Sequence, residues 1–299
     1  MPHIPVLLKE AIEILDPKPG EFFIDGTIGD AGHSAEILEK IGSEGKLLGI
    51  DWDKEAIGRL RNEKFQNSQN IFLVNDNYAN LPEILKKKDL EKADGLILDL
   101  GFSSTLLETS NRGFSFRNSS GNEEPLDMRY NEETKLTAAD VVNRFKEKDL
   151  AEIIFQYGEE RFSRRIAKAI IEERKRKPIK TTSDLVEIIG RAVPKNYENH
   201  RIHPATRTFQ ALRIYVNQEL KNLSKVLNNL DLILKTKGRL AVISFHSLED
   251  RIAKQTFKEL EKEGEIKILT KKPIRASEEE IKMNPRSRSA KLRAAILIK

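Results

Sequence analysis

The chain contains no cysteine. That absence removes disulfides, thiolate zinc sites, iron–sulfur clusters and any cysteine nucleophile, and it suits a reducing compartment. No run approaches the roughly 20 apolar residues that a bilayer-spanning helix needs. The opening MPHIPVLLKEAIEIL carries acids and lacks a small-residue cleavage site, so it does not read as a signal peptide. No internal repeat, low-complexity tract or metal-ligand cluster stands out. Together these absences set the expectation of a cytoplasmic protein with no membrane partner and no metal.

What is present is a 299-residue chain, a length for one or two domains. Hydrophobic residues make up 38% and charged residues 33%, with 52 Lys and Arg against 47 Asp and Glu. That is a globular composition with a modest basic excess. It permits a polyanionic partner without identifying one.

Short apolar runs alternate with helical patterns. EFFID (Glu21 to Asp25), KLLGID (Lys46 to Asp51), NIFLVN (Asn70 to Asn75) and ADGLILDLG (Ala93 to Gly101) read as buried strands. Helices are expected over Ala35 to Ile41 with Ser34 as cap, over Lys54 to Asn62, and near Leu81 to Lys88. Continuous apolar strands separated by helices predict a parallel, doubly wound α/β sheet. The alternation stops after Gly101. From about Asn111 to Ile214 the chain is polar and helical with no convincing strand. It resumes with a long helix, Phe209 to Leu234, then a strand GRLAVISF (Gly238 to Phe245), a helix Leu248 to Glu263, EIKILT and KLRAAILIK. The expected organisation is one α/β domain, 1–110 and 215–299, interrupted by an inserted all-helical domain over 111–214.

In open α/β sheets, ligands bind beyond the carboxyl ends of the strands. IDGTIGDAGHS (Ile24 to Ser34) lies there. Its glycines, Gly26, Gly29 and Gly32, are spaced G-x-x-G-x-x-G, which is neither the dinucleotide fingerprint nor a P-loop, since no lysine follows. The loop suits close backbone approach to an uncharged or cationic ligand. Asp51 ends the second strand, where an acid commonly accepts hydrogen bonds from ribose hydroxyls. A nucleoside with no phosphate to bind suggests S-adenosylmethionine. Asp99, at the start of DLGFSS, reaches the same edge from the fourth strand.

Several blocks then recur in a fixed order: Asp25-Gly26-Thr27, Gly32-His33-Ser34, DLGFSS, GFSF, PLDMR, YGEERF, HPATRTFQALRIYVNQEL, ISFHSLEDRI and NPRSRSAKLRA. Together they resemble the ribosomal RNA small-subunit methyltransferase H (MraW) family, and they run almost from end to end of the chain. The resemblance implies a class I methyltransferase fold with a helical insertion. It also implies S-adenosylmethionine-dependent methylation of the exocyclic N4 amine of one cytidine in the decoding region of small-subunit ribosomal RNA. The small ribosomal subunit is the implied partner. The implied cofactor site comprises Asp25, Gly26, Ala31, Gly32, His33, Asp51, Tyr78, Asp99 and Leu106. Relatives usually carry glycine at the place of Ala31 and often glutamine at Leu106.

The chemistry such a site must perform is transfer of a methyl group from a sulfonium to a delocalised amine. The amine needs alignment and an acceptor for its N–H groups. Methylation at ring carbon 5 uses a cysteine nucleophile, which this chain lacks. Asp99 is the first candidate for orienting the amine or cofactor and His246 the second. The target base must leave its stack, and the inserted domain is expected to grip the surrounding RNA. The candidates are Arg164, Arg165, Arg207 and Arg213, beside Arg161, Lys168 and the run Arg174 to Lys177. Arg286 and Arg288, with Arg293, form a separate phosphate-binding candidate. Phe114 and Phe116 fit core packing better than base stacking. The alternatives are another S-adenosylmethionine enzyme, acting on a protein or small molecule, and a noncatalytic RNA-binding protein of the same fold.

Overall fold

The computed structural model of the chain describes residues 4–66, 68–101, 111–115, 124–197 and 202–299. The chain divides into two compact units, Met1–Phe102 with Leu220–Lys299, and Ser103–Glu219. In chain order the first segment holds α1 (Leu8–Leu15), β1 (Phe22–Asp25), α2 (Gly32–Ile41), β2 (Lys46–Asp51), α3 (Lys54–Arg59), β3 (Ile71–Asn75), α4 (Leu81–Lys88) and β4 (Ala93–Asp99). The second unit holds α5 (Ala138–Arg144), α6 (Glu147–Gly158), α7 (Ser163–Arg174), α8 (Thr182–Ala192) and α9 (Thr206–Asn217). Then come α10 (Glu219–Leu227), α11 (Leu230–Ile233), β5 (Leu234–Ser244), α12 (Ser247–Lys262), β6 (Ile266–Ile268), α13 (Glu278–Met283) and β7 (Lys291–Leu297).

Among the described residues the first unit builds one seven-stranded sheet in the order β3-β2-β1-β4-β5-β7-β6. The pairs from β3 through β5 are parallel. β7 runs antiparallel between β5 and β6. The strand order reverses at β1, with β2 and β3 on one side and β4 and β5 on the other. Such a reversal is where open α/β sheets form a ligand crevice.

Side chains alternate across each strand, so one run of apolar residues feeds two cores. Phe22, Ile24, Leu48, Ile50, Leu96 and Leu98 face Leu81, Leu85, Val226 and Phe257 of α4, α10 and α12. Phe23, Leu47, Ile97 and Ile243 face Ala11, Leu15, Ile37 and Ile41 of α1 and α2. Each of these side chains is almost fully buried, and burial of a Leu, Ile or Phe stabilises by about 1.5–3 kcal/mol.

Two sequence expectations need correction. The helix expected over Phe209 to Leu234 is three helices, α9, α10 and α11. Gln218 stands between α9 and α10 in the left-handed region, at φ 51, and Asn228 and Asn229 separate α10 from α11. Leu234 already belongs to β5, whose pairing with β4 shifts register between Ala93 and Gly95. Ser34 does not cap α2. The helix starts earlier, behind Ala31 at φ 60, and Ser34 lies inside it, where its hydroxyl donates to Asp25 at 2.6 Å.

In the second unit, α5 and α8 start with capping boxes that their sequences spell out. The Thr137 hydroxyl accepts from the Asp140 N–H, and the Asp140 carboxylate accepts from Thr137 in return. Thr181 and Asp184 repeat the arrangement, satisfying amides a helix start leaves open. Among the described residues of 111–214 the only β pairing is an isolated bridge between Pro125 and Thr181.

Candidate active site

Register places the three strand-end acids. Asp25 pairs with Gly49 of β2 and Ile97 of β4. Asp51 and Asp99 each lie two residues beyond those partners. A two-residue step keeps a side chain on the same face, so all three carboxylates project from the α1–α2 side at the carboxyl end of the sheet. The start of α2 brings Ser34 to Asp25 and His33 to Asp99, while Asp51 meets backbone amides.

Asp25 is buried and accepts from the Ser34 hydroxyl and, at 3.1 Å, from the Thr27 amide. Burial pushes its carboxyl above the usual range, against these bonds and the nearby His33. Asp51 is half-buried. Its two oxygens accept from the amides of Gly29, at 2.9 Å, and Asp53, at 2.8 Å. Burial outweighs both bonds, and its pKa is pushed up to about 6. Asp99 is anchored through its amide, which donates to Thr27 Oγ1 at 2.7 Å, and one of its carboxylate oxygens accepts from Gly101 at 3.3 Å.

His33 Nε2 lies 3.0 Å from the Val6 carbonyl, an acceptor, so the ring proton sits on Nε2. The other nitrogen, Nδ1, is 3.7 Å from Asp99 Oδ2. Burial pushes the imidazole pKa down despite Asp25 and the Val6 carbonyl, so the ring is neutral at pH 7. Tyr78 opens the short turn Tyr78–Asn80 after β3. A Cβ added at Gly26 would meet Leu98 Cδ2 at 2.6 Å and Tyr78 Cβ at 3.2 Å, so a side chain here would force these neighbours to shift. One added at Gly32 would meet Pro5 Cγ at 2.3 Å; packing of the N-terminal segment accounts for that glycine. Ala31 occupies a left-handed conformation that L residues enter at a cost. Leu106 lies outside the described residues.

His246 follows β5 at the same carboxyl edge and caps α12. Its Nδ1 accepts from the Glu249 amide at 3.3 Å, and the Glu249 carboxylate accepts from the amides of Phe245 and His246. A neutral imidazole that accepts at Nδ1 carries its proton on Nε2. That Nε2 is buried and makes no hydrogen bond among the described residues; Glu249 Oε1 is 3.1 Å away but poorly aligned. His246 is therefore built as an N–H donor. Glu249 was missed in the sequence, although His-Ser-Leu-Glu has the capping-box spacing.

The arginine candidates separate by their partners. Arg164 and Arg165 are exposed in the first turn of α7, and Arg165 and Arg161 both lie over the Phe162 ring, at 5.7 and 4.9 Å. Arg207 is half-buried and donates to the Glu159 carbonyl at 3.4 Å. Arg286 and Arg288 are exposed on the turn Pro285–Ser289. Arg213 makes two 2.8 Å hydrogen bonds to Glu219, with both side chains only 11% exposed. Arg293 is buried and donates to Asp250 at 2.7 Å, with Lys291 on the second oxygen at 2.9 Å. Both guanidinium groups are committed to carboxylates. Arg174 donates to the Val142 carbonyl and Lys177 to Asp184. Phe114 is buried and stacks on Tyr130 with centroids 5.3 Å apart, as core packing requires; Phe116 lies outside the described residues.

A doubly wound sheet with acids gathered at the reversal of strand order places the chain among open α/β proteins with a polar crevice at the carboxyl ends of their strands. The chain belongs to the MraW methylase family, whose sequence profile matches residues 1–298. It is 47% identical to the ribosomal RNA small subunit methyltransferase H of Clostridium botulinum (strain 657 / Type Ba4), covering 97% of each chain. It is 45% identical to the protein of that name in Clostridioides difficile (strain 630), covering 98% of each. The corresponding protein of Syntrophobacter fumaroxidans is also 45% identical, over 98% of this chain and 95% of its own length.

Proposed function

We propose that the chain methylates the exocyclic N4 amine of a specific cytidine in the decoding region of small-subunit ribosomal RNA, with S-adenosylmethionine as donor and the small ribosomal subunit as partner. Membership of a methylase family makes the chain a methyltransferase. Its near-full-length relatives are named for ribosomal RNA.

The observation that carries the cofactor assignment is the chemistry of the rim. Asp51 and Asp99 present acceptors and negative charge, with Asp25 buried behind them; the loop between β1 and α2 holds no lysine or arginine of its own, and the two that reach it, Arg59 and Lys64, are bonded to Asp30 and to the carbonyls of Asp30 and Ala31. Such a rim repels phosphates and suits a hydroxyl-bearing, positively charged nucleoside. S-adenosylmethionine supplies a methyl group already activated on its sulfonium. Asp51 would hold ribose hydroxyls with the lone pairs its two amide donors leave open. Tyr78 would flank the adenine. Gly26 keeps the loop close to Leu98 and Tyr78.

Asp99 would accept an N–H of the cytosine amine, turning its lone pair toward the methyl and taking the released proton. The neutral His33 beside it adds no competing positive charge. His246 is the second candidate for orienting the base; its Nε2 proton is buried, so donation to the base requires the rim beside it to open. The lack of cysteine favours direct attack by the amine over a covalent route to carbon 5. Arg164 and Arg165 sit where the helix dipole disfavours cations by about 0.3–1 kcal/mol. A role in holding RNA phosphate gives that placement a reason, and Arg207, Arg286 and Arg288 add further contacts.

This reading treats 1–110 and 215–299 as the methyltransferase domain and 111–214 as an RNA-gripping insertion. It places the protein in the cytoplasm; among the described residues no helix is long and apolar enough to cross a membrane.

The test supplies methyl-labelled S-adenosylmethionine to small ribosomal subunits that lack the modification and maps the label. The expected result is label at one cytidine of the decoding region. Label on protein would favour another methyl acceptor. Failure to bind S-adenosylmethionine in calorimetry would favour a noncatalytic RNA-binding role.

A further inference from the structure

The second unit contains a cleft of about 280 Å³ that methyl transfer does not use. Its floor is aromatic: Phe145 just after α5, Tyr157 on α6 and Tyr215 on α9. The Phe145 and Tyr215 rings meet edge to face with centroids 5.7 Å apart. Tyr157 and Tyr215 are 6.0 Å apart and tilted by 51°. Asp149 and Glu152 of α6 form an exposed rim, and the Gln156 amide donates to Glu152 at 2.8 Å. Among the described residues no lysine or arginine lines the cleft; the exposed Lys146 and Lys148 are not part of its wall. In a chain with net charge +5, this is an aromatic, acidic recess.

We propose that the cleft binds the cationic head of an arginine or lysine side chain presented by a basic polypeptide. A cation is attracted to an aromatic ring within about 6 Å of its centroid, and a cation seated against Tyr215 lies beside a cluster in which Phe145 and Tyr157 stand 5.7 and 6.0 Å from that ring. The two carboxylates add Coulombic attraction and hydrogen-bond acceptors for the same group. Burial of the Tyr215 hydroxyl, close to Tyr157 and Asp149, pushes its pKa up, which keeps the phenol neutral. A nucleobase is the weaker occupant. It would bring its phosphates toward Asp149 and Glu152 with no wall cation to neutralise them. This inference is independent of where the methyl group goes.

The test uses the full chain labelled with 3-fluorotyrosine, with its five tyrosines assigned by single Tyr→Phe variants. A short arginine-rich peptide, its citrulline counterpart and an oligocytidylate are titrated while the fluorine resonances are followed. The arginine peptide should move the Tyr157 and Tyr215 resonances. The citrulline peptide should bind at least tenfold more weakly. The double variant Asp149→Asn, Glu152→Gln, both exposed positions, should keep the wild-type Tm and lose at least fivefold in affinity. Equal binding of the citrulline peptide, unchanged affinity in the double variant, or movement of these tyrosines by oligocytidylate alone would overturn the proposal.

Discussion

His33 Nδ1 faces Asp99 Oδ2 at 3.7 Å, while the opposite ring nitrogen donates to the Val6 carbonyl at 3.0 Å. The pair joins the start of α2 to the end of β4. A neutral ring presents a lone pair to the carboxylate, so Asp99 gains no cationic partner from His33 and keeps its capacity to accept a proton. Asp99→Asn retains the shape and removes that capacity. The expected outcome is a fall in methyl transfer at saturating cofactor of about 10²-fold or more, the usual scale for loss of a positioned base. Single-turnover transfer to small subunits measures it; a rate near wild type would remove Asp99 from the chemistry.

Asp51 sets a pH dependence. Its pKa is pushed up to about 6 by burial. A carboxylate accepts from two hydroxyls, whereas its protonated form must donate one hydrogen. Cofactor affinity should be full above about pH 7 and weaken below pH 6, approaching tenfold per pH unit. Calorimetry from pH 8 to 5 reads this directly, and Asp51→Asn should bind weakly with no such slope. The stability contribution runs the other way. The folded pKa exceeds the ordinary 3.8, so the cofactor-free fold takes up this proton first. The contribution of Asp51 to stability is greatest below pH 4 and is lost as pH rises through about 6.

Gly26→Ala inserts a methyl group 2.6 Å from Leu98 Cδ2 and 3.2 Å from Tyr78 Cβ. Overpacking of this kind costs about 1–3 kcal/mol. It also shifts the loop and Tyr78 together. A lower Tm together with at least tenfold weaker binding of S-adenosylmethionine is expected, measured by thermal unfolding and calorimetry.

The arginines should divide into two groups. Arg164→Ala, Arg165→Ala and Arg288→Ala should leave Tm within about 0.5 kcal/mol equivalent, as surface changes do. Each should weaken RNA binding and lower its salt dependence by about one charge. Arg213→Ala and Arg293→Ala leave Glu219 and Asp250 without their guanidinium partners, at a cost on the order of 3 kcal/mol. They should lower Tm first. Asp250 shows the same dependence: burial raises its pKa, but Arg293 and Lys291 outweigh that and hold it low.

Much of this fold is legible in the sequence because parallel strands are buried on both faces. β2 and α4 have the limits that KLLGID and Leu81 to Lys88 suggest. Thr-x-x-Asp marks the starts of α5 and α8. The break at Gln218 is not legible, because glutamine is a good helix former and its left-handed backbone is imposed by tertiary context. Ser34 has the identity of a cap and the position of a core hydrogen-bond donor. Arg213, Arg293 and Arg164 look alike as letters. The carboxylate that Arg293 meets is 43 residues away, at Asp250, and only folding brings the two together. The strand-end acids were readable from strand order, whereas the tautomers of His33 and His246 depend on the backbone groups beside each ring.

The identity of the methylated atom can be read directly from the product. RNA from subunits labelled by the purified chain is digested to nucleosides, and the radioactive product is compared with authentic standards. N4-methylcytidine is the expected labelled nucleoside, reduced about 10²-fold or more when Asp99→Asn replaces the wild type. Label in 5-methylcytidine, in a ribose methyl group or in a nucleoside other than cytidine would contradict it.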